Sequence, residues 1–518
     1  MADALSIEQV EYYVNEVLPK IESELSRTDM EAQDKLELYT LYVDVLRITA
    51  PYNFNSFNMY LELDDDHNDP NKAFYHHRKK HLKELFDAMN DLEMYDKYDM
   101  LLVSLAPRVG KTTTGIRFLS WIIGKYPENT QLAISYADNV TSSFYAGVME
   151  VIDGVRYREV FPEAPLVNQN AKKEEIWLKT VKRYPSIAFI PIGGAMTGRG
   201  EAKNYLYCDD LVSGLEEALS PVRLEKLWGL YTGNVKQRKK DGCKEIHIAT
   251  RWSVHDPITR LDRLNKDNPR CKIISIDCYD ENGESNFDFP NGFSTAYYKD
   301  LEGTLDKLTF DAVFRQRPIE REGLLYHEED LKYYFTLPDG GFDSVVAICD
   351  SKNMGKDYVA SLVGYVQGDY VYIEDVVYNR GLPDVTKALV ANMWMKHNVV
   401  MGDVELNNGG NYYAEGVEAL IKEGKGHTSV RMFFSSNNKD VKIITYSEHV
   451  KKFFVFKHKS LYSPNSEYAM FMKDLTSWTQ LGNNEHDDAP DATAMLAQMV
   501  QELQYRGIKI IDRRSVGI

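Results

Sequence analysis

The sequence contains little cysteine and no long hydrophobic run, and each absence excludes a class of protein. Its 518 residues include five cysteines, none in CxxC spacing, so we predict neither a disulfide framework nor a zinc site. No stretch approaches the roughly 18 unbroken apolar residues of a membrane span. The first residues lack the basic and apolar parts of a secretory signal. We therefore expect a soluble, intracellular chain.

Positive charge is also scarce, mainly at the start of the chain. The chain holds 61 Lys and Arg against 78 Asp and Glu, a formal net charge of −17. Residues 1–100 hold 22 acidic and 10 basic side chains, a balance of −12, whereas the other 418 residues hold 56 and 51, a balance of −5. Binding to a nucleic-acid backbone needs clustered Lys and Arg. The nearly neutral body leaves room for such clusters, so composition does not decide the partner.

Hydrophobic patterning divides the chain into a helical leader and two α/β domains. A hydrophobic fraction of 43% excludes a disordered chain. Helical spacing predicts helices over 5–48 and 72–94. Strands alternating with helices predict a parallel sheet in the first domain, whereas three strands followed by helix, strand and helix form a different pattern in the second. The predicted strands are 100–105, 131–136, 205–208, 245–249, 345–349, 358–366, 370–378 and 399–405. The predicted boundaries are 1–55 for the leader, 56–320 for the first domain, 321–342 for a linker and 343–518 for the second domain.

A phosphate-binding loop follows the first predicted strand. The segment Ala106–Thr113 contains Gly-Lys-Thr and leads into a helical run, which is the strand–loop–helix order of a P-loop. In such loops backbone N–H groups cradle phosphate, the lysine reaches the β and γ oxygens, and the hydroxyl helps to hold Mg²⁺. Leu105 stands where the full pattern has glycine. The residues predicted to contact nucleotide are Pro107, Arg108, Val109, Gly110, Lys111, Thr112 and Thr113 of this loop, with Asp209 and Thr250 from the ends of later strands.

Charged residues at the ends of later strands are predicted to complete this site. One strand ends in Asp209 and Asp210. A P-loop enzyme needs one carboxylate on the metal side and one group that positions water, and we assign these roles to Asp209 and Asp210 respectively. Arg199 lies between two glycines and is either an arginine finger or part of a surface turn. A further strand ends in Thr250 and Arg251, which we expect at the ligand-binding edge of the sheet.

Acidic residues of the second domain are predicted to converge. Asp350 ends its first strand and Glu405 its fourth, and a late helix begins near three aspartates, Asp487, Asp488 and Asp491. Asp491 lies three and four residues after the other two, so one helix face carries them. Carboxylates repel unless cations lie between them, which predicts two Mg²⁺ or Mn²⁺ ions about 4 Å apart that drive attack of water on a phosphodiester. Each acid alone is more often a solvated strand end or helix cap. Asp357 is a weaker candidate, and His486 is either structural or a partner of the ligands.

Taken together, these motifs resemble the large terminase subunit of tailed bacteriophages. The resemblance extends from about His76 to Leu503. In that family the first glycine of the Walker A motif is often missing and Arg108 is characteristic, whereas several members have Asp-Glu in Walker B where this chain has Asp-Asp. The segments that carry the resemblance are His76–Leu82 as lead-in, Pro107–Thr112 as Walker A, Thr197–Gly200 and Cys208–Asp210 as arginine turn and Walker B, Thr250–Asp256 as coupling motif, and Phe314–Pro318 as the exit from the ATPase.

The resemblance implies an α/β fold in which a P-loop NTPase domain with a parallel sheet precedes an RNase H-like nuclease domain with a mixed sheet. The helical leader before them matches no pattern of the family. It implies an ATP-driven motor that moves viral double-stranded DNA into a procapsid, and a metal-dependent endonuclease that cuts the concatemeric genome. ATP and Mg²⁺ are the implied cofactors, with Mn²⁺ an option at the nuclease site. The implied partners are the portal protein, the small terminase subunit and further copies in a ring of about five.

The resemblance also implies roles for individual residues. Arg108 and Arg199 would neutralise transition-state charge, and Asp210 would act on water. The implied nuclease residues are Asp350, Glu405 and Asp488, and the implied metal ligands are Thr112, Asp209, Asp350, Glu405, Asp487, Asp488 and Asp491. We expect the protein in the host cytoplasm, docked transiently on the procapsid, and absent from the mature virion. Two other functions stay open: a cellular ATP-dependent DNA nuclease or helicase of repair, and an assembly adaptor that keeps nucleotide for structure.

Overall fold

The computed structural model divides into two compact units. The described residues are 4–69, 72–196, 198–319, 323–351, 358–406, 410–434, 438–480, 484 and 486–505, without the side chains of 410 and 411. The first unit comprises Met1–Leu301 and Thr309–Ile319, and the second comprises Glu302–Leu308 and Glu320–Ile518. The boundaries predicted for the leader and for the linker remain predictions.

The first unit is built around an eight-stranded, mostly parallel sheet. Its strands are β1 (Met100–Ser104), β2 (Gln131–Ser135), β3 (Leu166–Asn170), β4 (Glu175–Leu178), β5 (Ile187–Pro191), β6 (Tyr205–Asp209), β7 (Lys244–Ala249) and β8 (Cys271–Ser275). They lie in the order β3-β4-β5-β2-β6-β7-β1-β8, and β4 alone runs antiparallel to its neighbours. Every residue of β1, β2 and β6 is buried, as in sheets with helices on both faces. The predicted parallel sheet is confirmed, with β1 between β7 and β8 as in P-loop NTPases.

Helices precede the sheet and connect its strands. As far as residue 313 they are α1 (Ile7–Tyr12), α2 (Leu18–Leu25), α3 (Ala32–Thr49), α4 (Phe54–Leu61), α5 (Phe74–Arg78), α6 (Lys83–Met94), α7 (Lys111–Lys125), α8 (Asp138–Asp153), α9 (Val155–Val160), α10 (Leu215–Ala218), α11 (Pro221–Leu230), α12 (Pro257–Asn265), α13 (Thr295–Thr304) and α14 (Lys307–Val313). The predicted leader is helical but broken between α2 and α3. A capping box of Ser6 and Gln9 starts α1 because each side chain accepts a backbone N–H of the other. In the described part of the chain, no helix is long and apolar enough to cross a lipid bilayer.

The second unit contains a seven-stranded mixed sheet. Its strands are β9 (Lys332–Tyr334), β10 (Ser344–Asp350), β11 (Val359–Gln367), β12 (Tyr370–Asn379), β13 (Met401–Glu405), β14 (Ser429–Phe433) and β15 (Phe454–Lys457), in the order β14-β13-β10-β11-β12-β15-β9. β10, β11 and β12 form an antiparallel meander, and β13 and β14 continue the sheet in parallel beside β10. This is the strand order of an RNase H-like domain, so the predicted mixed sheet is confirmed.

Five helices pack around this sheet in the described residues. They are α15 (Pro383–Lys396), α16 (Gly410–Glu423), α17 (Lys439–Phe453), α18 (Glu467–Ser477) and α19 (Asp488–Tyr505). Trp394 of α15 packs closely against β13 because Gly402 has no side chain there; an added Cβ would lie 2.2 Å from the indole. The first turns of α19 are buried, which brings Asp488 and Asp491 into the interior of the unit.

We expect the second unit to lose stability at mildly acidic pH because of His449. This side chain of α17 packs against Phe453 and Phe454, with ring centroids 4.9 and 6.1 Å away. Burial, aided by Lys452 and opposed by Asp369, lowers its pKa from 6.5 to about 4. The unfolded chain therefore takes up this proton first, so stability falls as the pH drops from 6.5 to 4. After allowance for solvent screening, the loss is on the order of 2 kcal/mol.

The measurement is the free energy of unfolding in denaturant at pH 7 and pH 4. The variant His449→Gln should lose less stability over this interval than the wild type does. The exposed His427, replaced in His427→Gln, is the matched control and should follow the wild type. Equal losses in the wild type and His449→Gln would contradict the assignment.

Candidate active sites

The predicted phosphate-binding loop connects β1 to α7. The turn contains Gly110 at a φ of +115°, which favours glycine, and an added Cβ would lie 2.9 Å from the ring of Phe74. The start of α7 borders a cleft of about 340 Å³. Backbone N–H groups at a helix start attract anions. Among the residues predicted to contact nucleotide, those that line the cleft are Pro107, Arg108, Gly110, Lys111, Thr112, Thr113 and Thr250, whereas Val109 is buried.

Lys111 places its ammonium group at the base of this cleft. The side chain is 5% exposed, and Nζ donates hydrogen bonds to Thr250 Oγ1 at 2.6 Å, Leu105 O at 3.1 Å and Ala106 O at 3.2 Å. Asp210 Oδ2 lies 3.9 Å away. A nearly buried cation with a few exchangeable oxygen acceptors can transfer them to phosphate oxygens, which bind a cation more strongly. The arrangement therefore suits the β and γ oxygens of a nucleotide.

Asp209 and Asp210 lie at the end of β6 and have different environments. Asp209 ends β6, is buried, and accepts a hydrogen bond from Thr112 Oγ1 at 3.3 Å. Within the described residues its Oδ1 has no hydrogen-bond partner. Burial raises the pKa of Asp209 well above its usual range, and the charge of Asp210 acts in the same direction. An unsatisfied carboxylate oxygen beside a hydroxyl fits Mg²⁺, which prefers oxygen ligands.

The side chain of Asp210 lines the cleft. The residue has a φ of +37°, and its Oδ1 accepts the backbone N–H of Thr250 at 2.7 Å. The loop after β7 is held in place by Asp256, whose carboxylate accepts the N–H groups of Trp252 and Thr259 at 2.9 and 2.8 Å. Two neighbouring strand ends therefore position Asp210 and Thr250 together.

The two arginines predicted to act on the transition state, Arg108 and Arg199, have different environments. Arg108 is exposed and lines the cleft. Arg199 instead contacts Glu175 Oε1 at 3.4 Å, Phe189 O at 3.2 Å and Lys173 O, and none of these lines the cleft. Its role as an arginine finger remains a prediction, and Thr197 beside it lies outside the described residues.

Arg251 does not emerge at the ligand edge as the sequence suggests. Its side chain is buried, Nε donates to Ser104 Oγ at 2.9 Å, and the guanidinium also binds Asp262. The backbone N–H of Arg251 donates to Gln316 Oε1 at 3.3 Å. The residue therefore ties the loop after β7 to the end of β1 and to the segment Phe314–Pro318.

In the second unit, three buried carboxylates meet at one edge of the mixed sheet. Asp350 ends β10 and Glu405 ends β13, and these parallel neighbours finish side by side. Asp491 comes from the first turn of α19. One oxygen from each of the three lies within 4.8 Å of the others. The structure thus brings these three predicted residues together; their metal-binding role remains a prediction.

The other two aspartates of the late helix have separate environments. Asp487 is partly exposed and pairs with Lys439 Nζ at 3.2 Å. Asp488 is buried, and its Oδ2 accepts the backbone N–H of Tyr358 at 2.9 Å. Asp488 also contributes to the raised pKa of Asp350, so it lies near the cluster. Asp357 lies outside the described residues.

Two lysines of α17, which sequence reasoning missed, reach into the acidic cluster. Lys442 is buried, with Nζ 2.7 Å from Asp491 Oδ1 and 3.5 Å from Glu405 Oε1. Lys439 Nζ lies 3.6 Å from Asp491 Oδ2. Their i, i+3 spacing at a helix start was visible in the sequence, but that spacing alone does not indicate that α17 packs against α19. The two cations offset part of the negative charge.

The electrostatics of the cluster favour a bound cation. Burial raises the pKa of Asp350 well above its usual range, and Asp491 adds to this while Lys439 opposes it. Burial also raises the pKa of Asp491, against the effect of Lys442. Ionisation of all three carboxylates is therefore costly unless a further cation lies between them. An all-oxygen donor set of this kind fits Mg²⁺ or Mn²⁺.

The fold and the two sites define a two-domain class of protein. Its first domain is a P-loop NTPase domain with Lys111, Asp209 and Asp210 near the loop, and its second is an RNase H-like domain with a buried carboxylate cluster.

Several solved structures are similar to this chain. It is similar to the large terminase of a thermophilic bacteriophage, at 10% identity and a TM-score of 0.46, over 82% of this chain and 99% of that one. It is also similar to the large terminase of bacteriophage HK97, at 10% identity and a TM-score of 0.33, over 80% and 94% of the two chains. A third match is the nuclease domain of the large terminase subunit gp2 of bacterial virus Sf6, at 10% identity and a TM-score of 0.24, over 30% of this chain and 89% of that one. No family model and no curated protein matches the sequence.

Proposed function

We propose that this protein is a large terminase subunit, which uses ATP to move viral double-stranded DNA into a procapsid and cuts the concatemeric genome with a metal-dependent nuclease. The observation that carries the proposal is the presence of two clusters of buried charged side chains in one chain. One is Lys111 and Asp209 at the P-loop, and the other is Asp350, Glu405 and Asp491 at the edge of the mixed sheet. The order of the sequence motifs supports the same assignment.

The P-loop site can carry out ATP hydrolysis with its own residues. Lys111 would bind the β and γ oxygens, and Thr112 with Asp209 would hold Mg²⁺, which neutralises charge on the phosphates. Asp210, fixed by the backbone of Thr250, would orient the attacking water. Arg108, and Arg199 of the same or a neighbouring copy, would stabilise charge that develops in the transition state.

The carboxylate cluster can carry out phosphodiester hydrolysis. Asp350, Glu405 and Asp491 would hold Mg²⁺ or Mn²⁺, with Asp488 close by. Metal ions in such sites activate water and stabilise the leaving oxygen of an in-line displacement. The lysines Lys439 and Lys442 would keep the carboxylates in place by balancing charge.

The partners and location belong to the same proposal. A ring of copies on the portal of a procapsid would allow an arginine to act between subunits, and a small terminase subunit would select the genome. The protein would then act in the host cytoplasm and leave the filled capsid.

A triplex-displacement assay tests the motor function. The full chain should displace a third strand from duplex DNA in the presence of ATP and Mg²⁺ without separating the duplex strands, because a packaging motor moves along intact duplex. Displacement should cease when a nonhydrolysable ATP analogue replaces ATP. ATP-dependent strand separation would instead favour a repair helicase. Binding of ATP without hydrolysis or displacement would favour an assembly adaptor, and either result would contradict the proposal.

A further inference from the structure

A column of stacked side chains lies beside the carboxylate cluster. The rings of Tyr358 and Tyr378 stack face to face, with centroids 4.0 Å apart and an interplanar angle of 9°. The guanidinium of Arg380 lies over the ring of Tyr358, 4.1 Å from its centroid. Tyr378 is buried, and its hydroxyl donates to Asp474 Oδ2 at 2.8 Å. The column therefore has a fixed base and ends in an exposed arginine.

The side chain of His486 also contacts Arg380. Arg380 Nη2 lies 2.6 Å from His486 Nε2, and the imidazole meets the ring of Tyr358 edge-on at 5.3 Å. Arginine is protonated throughout the accessible pH range and can only donate, so Nε2 of His486 accepts and the ring proton is on Nδ1. Contacts with the aromatic face of Tyr358 and with the imidazole of His486 hold the guanidinium in position.

Strand register places Tyr378, at the base of this column, on the same face of the sheet as Asp350. Asp350 pairs with Ala360 across β10 and β11, and Ala360 pairs with Tyr378 across β11 and β12. Paired residues share a face, and so do residues two apart along a strand. Arg380 follows the end of β12, and its guanidinium lies over Tyr358, which stacks on Tyr378 of that face. β10 and β12 are two strand spacings apart, roughly 10 Å.

A hydrogen bond also links the column to Asp488, which lies near the cluster. The backbone N–H of Tyr358 donates to Asp488 Oδ2 at 2.9 Å, and Asp488 affects the pKa of Asp350. A separation of roughly 10 Å is spanned by one to three nucleotides of a DNA strand, because successive phosphates lie farther apart than the axial rise of ~3.4 Å. A guanidinium held by its face keeps its N–H groups in the plane, where they can bind a phosphate through two parallel hydrogen bonds.

We propose that Arg380 binds a backbone phosphate of the DNA strand being cut, one to three nucleotides from the scissile bond, with Tyr358 and His486 as its positioning residues. This inference rests on the proposed nuclease function of the cluster. It assigns a substrate contact to a residue that neither the P-loop nor the metal ligands require.

The test compares Arg380→Ala and Arg380→Lys with the wild type in the full chain. Binding of a labelled DNA duplex is measured by anisotropy in Ca²⁺, over a series of salt concentrations. We expect Arg380→Ala to weaken binding about tenfold and to reduce the slope of log K against log salt by about one, as the loss of one phosphate contact predicts. Arg380→Lys should retain most of the slope but bind less tightly, because an ammonium cannot bind a phosphate through a planar pair.

The control variant is Lys422→Ala, which removes one exposed positive charge from the same unit. Lys422 is near the end of α16, which runs from the end of β13 back to the start of the parallel β14, so it lies away from the cluster edge. Its salt slope should equal that of the wild type. Affinity for Mn²⁺ is measured by calorimetry, and Arg380→Ala should match the wild type because the ligands are untouched.

The outcomes separate this inference from the function on which it rests. An unchanged salt slope in Arg380→Ala, with a wild type that cleaves DNA, would overturn the role of Arg380 alone. Loss of Mn²⁺ affinity in Arg380→Ala would also overturn it, because the arginine would then support the cluster and not the substrate. A wild type that neither binds Mn²⁺ nor cleaves DNA would instead overturn the proposed nuclease function.

Discussion

Replacement of Lys111 by alanine is expected to abolish ATP hydrolysis and to leave metal-dependent DNA cleavage intact. Lys111 is the nearly buried cation at the base of the cleft, and its Nζ is already oriented by Thr250 and two main-chain carbonyls. Removal of a cation that stabilises a phosphoryl transition state lowers the rate on the order of 10³-fold or more. Release of inorganic phosphate from ATP measures the loss, and conversion of supercoiled plasmid in Mn²⁺ measures the retained activity.

The exposed Lys226 of α11 is the matched control for this variant. Lys226→Ala removes the same charge from the same unit and should hydrolyse ATP at the wild-type rate. Since Lys111→Ala also leaves Asp209 and Asp210 without their nearest cation, its unfolding curve is recorded alongside. A folded Lys111→Ala chain with ATPase activity close to wild type would rule out the P-loop assignment.

Replacement of Asp350 by asparagine is expected to have the reverse effect. The variant keeps the shape of the side chain but removes one of the three clustered charges, so a divalent cation loses a ligand. Cleavage of plasmid DNA in Mn²⁺ should fall on the order of 10³-fold, as expected when the metal no longer activates water or the leaving oxygen. ATP hydrolysis should remain at the wild-type rate because the P-loop residues are unchanged.

Stability measurements distinguish loss of the metal site from loss of the fold. Burial and Asp491 raise the pKa of Asp350 in the folded chain, so removal of its charge should not destabilise the chain in the presence of a chelator. Mn²⁺ should raise the unfolding temperature of the wild type and have little effect on Asp350→Asn. Asp339→Asn, at an exposed position before β10, is the control and should cleave normally. Full cleavage by Asp350→Asn would remove Asp350 from the site.

The sequence alone determined the main features of the two units. Short apolar runs predicted β1, β2, β6 and β7 because strands of a parallel sheet are buried on both faces and must be continuously hydrophobic. The Gly-Lys-Thr turn and the acids at the ends of strands could be assigned because their chemistry depends on local order along the chain, as for Lys111 after β1 and Asp350 after β10. Seven strands were missed: β3, β4, β5, β8, β9, β14 and β15. Of these, β4, β9 and β15 have only three or four residues, and β3 is exposed.

Only the tertiary structure decided how distant segments meet. It selected Asp491 from three neighbouring aspartates as the residue closest to Asp350 and Glu405, and it placed Lys442 between Asp491 and Glu405. It also placed Arg199 against β4 and β5 and the guanidinium of Arg380 over Tyr358. These contacts depend on the packing of α17 against α19 and on the register of β10, β11 and β12. Such long-range pairings depend on the shape of the whole core, which no local run of residues encodes.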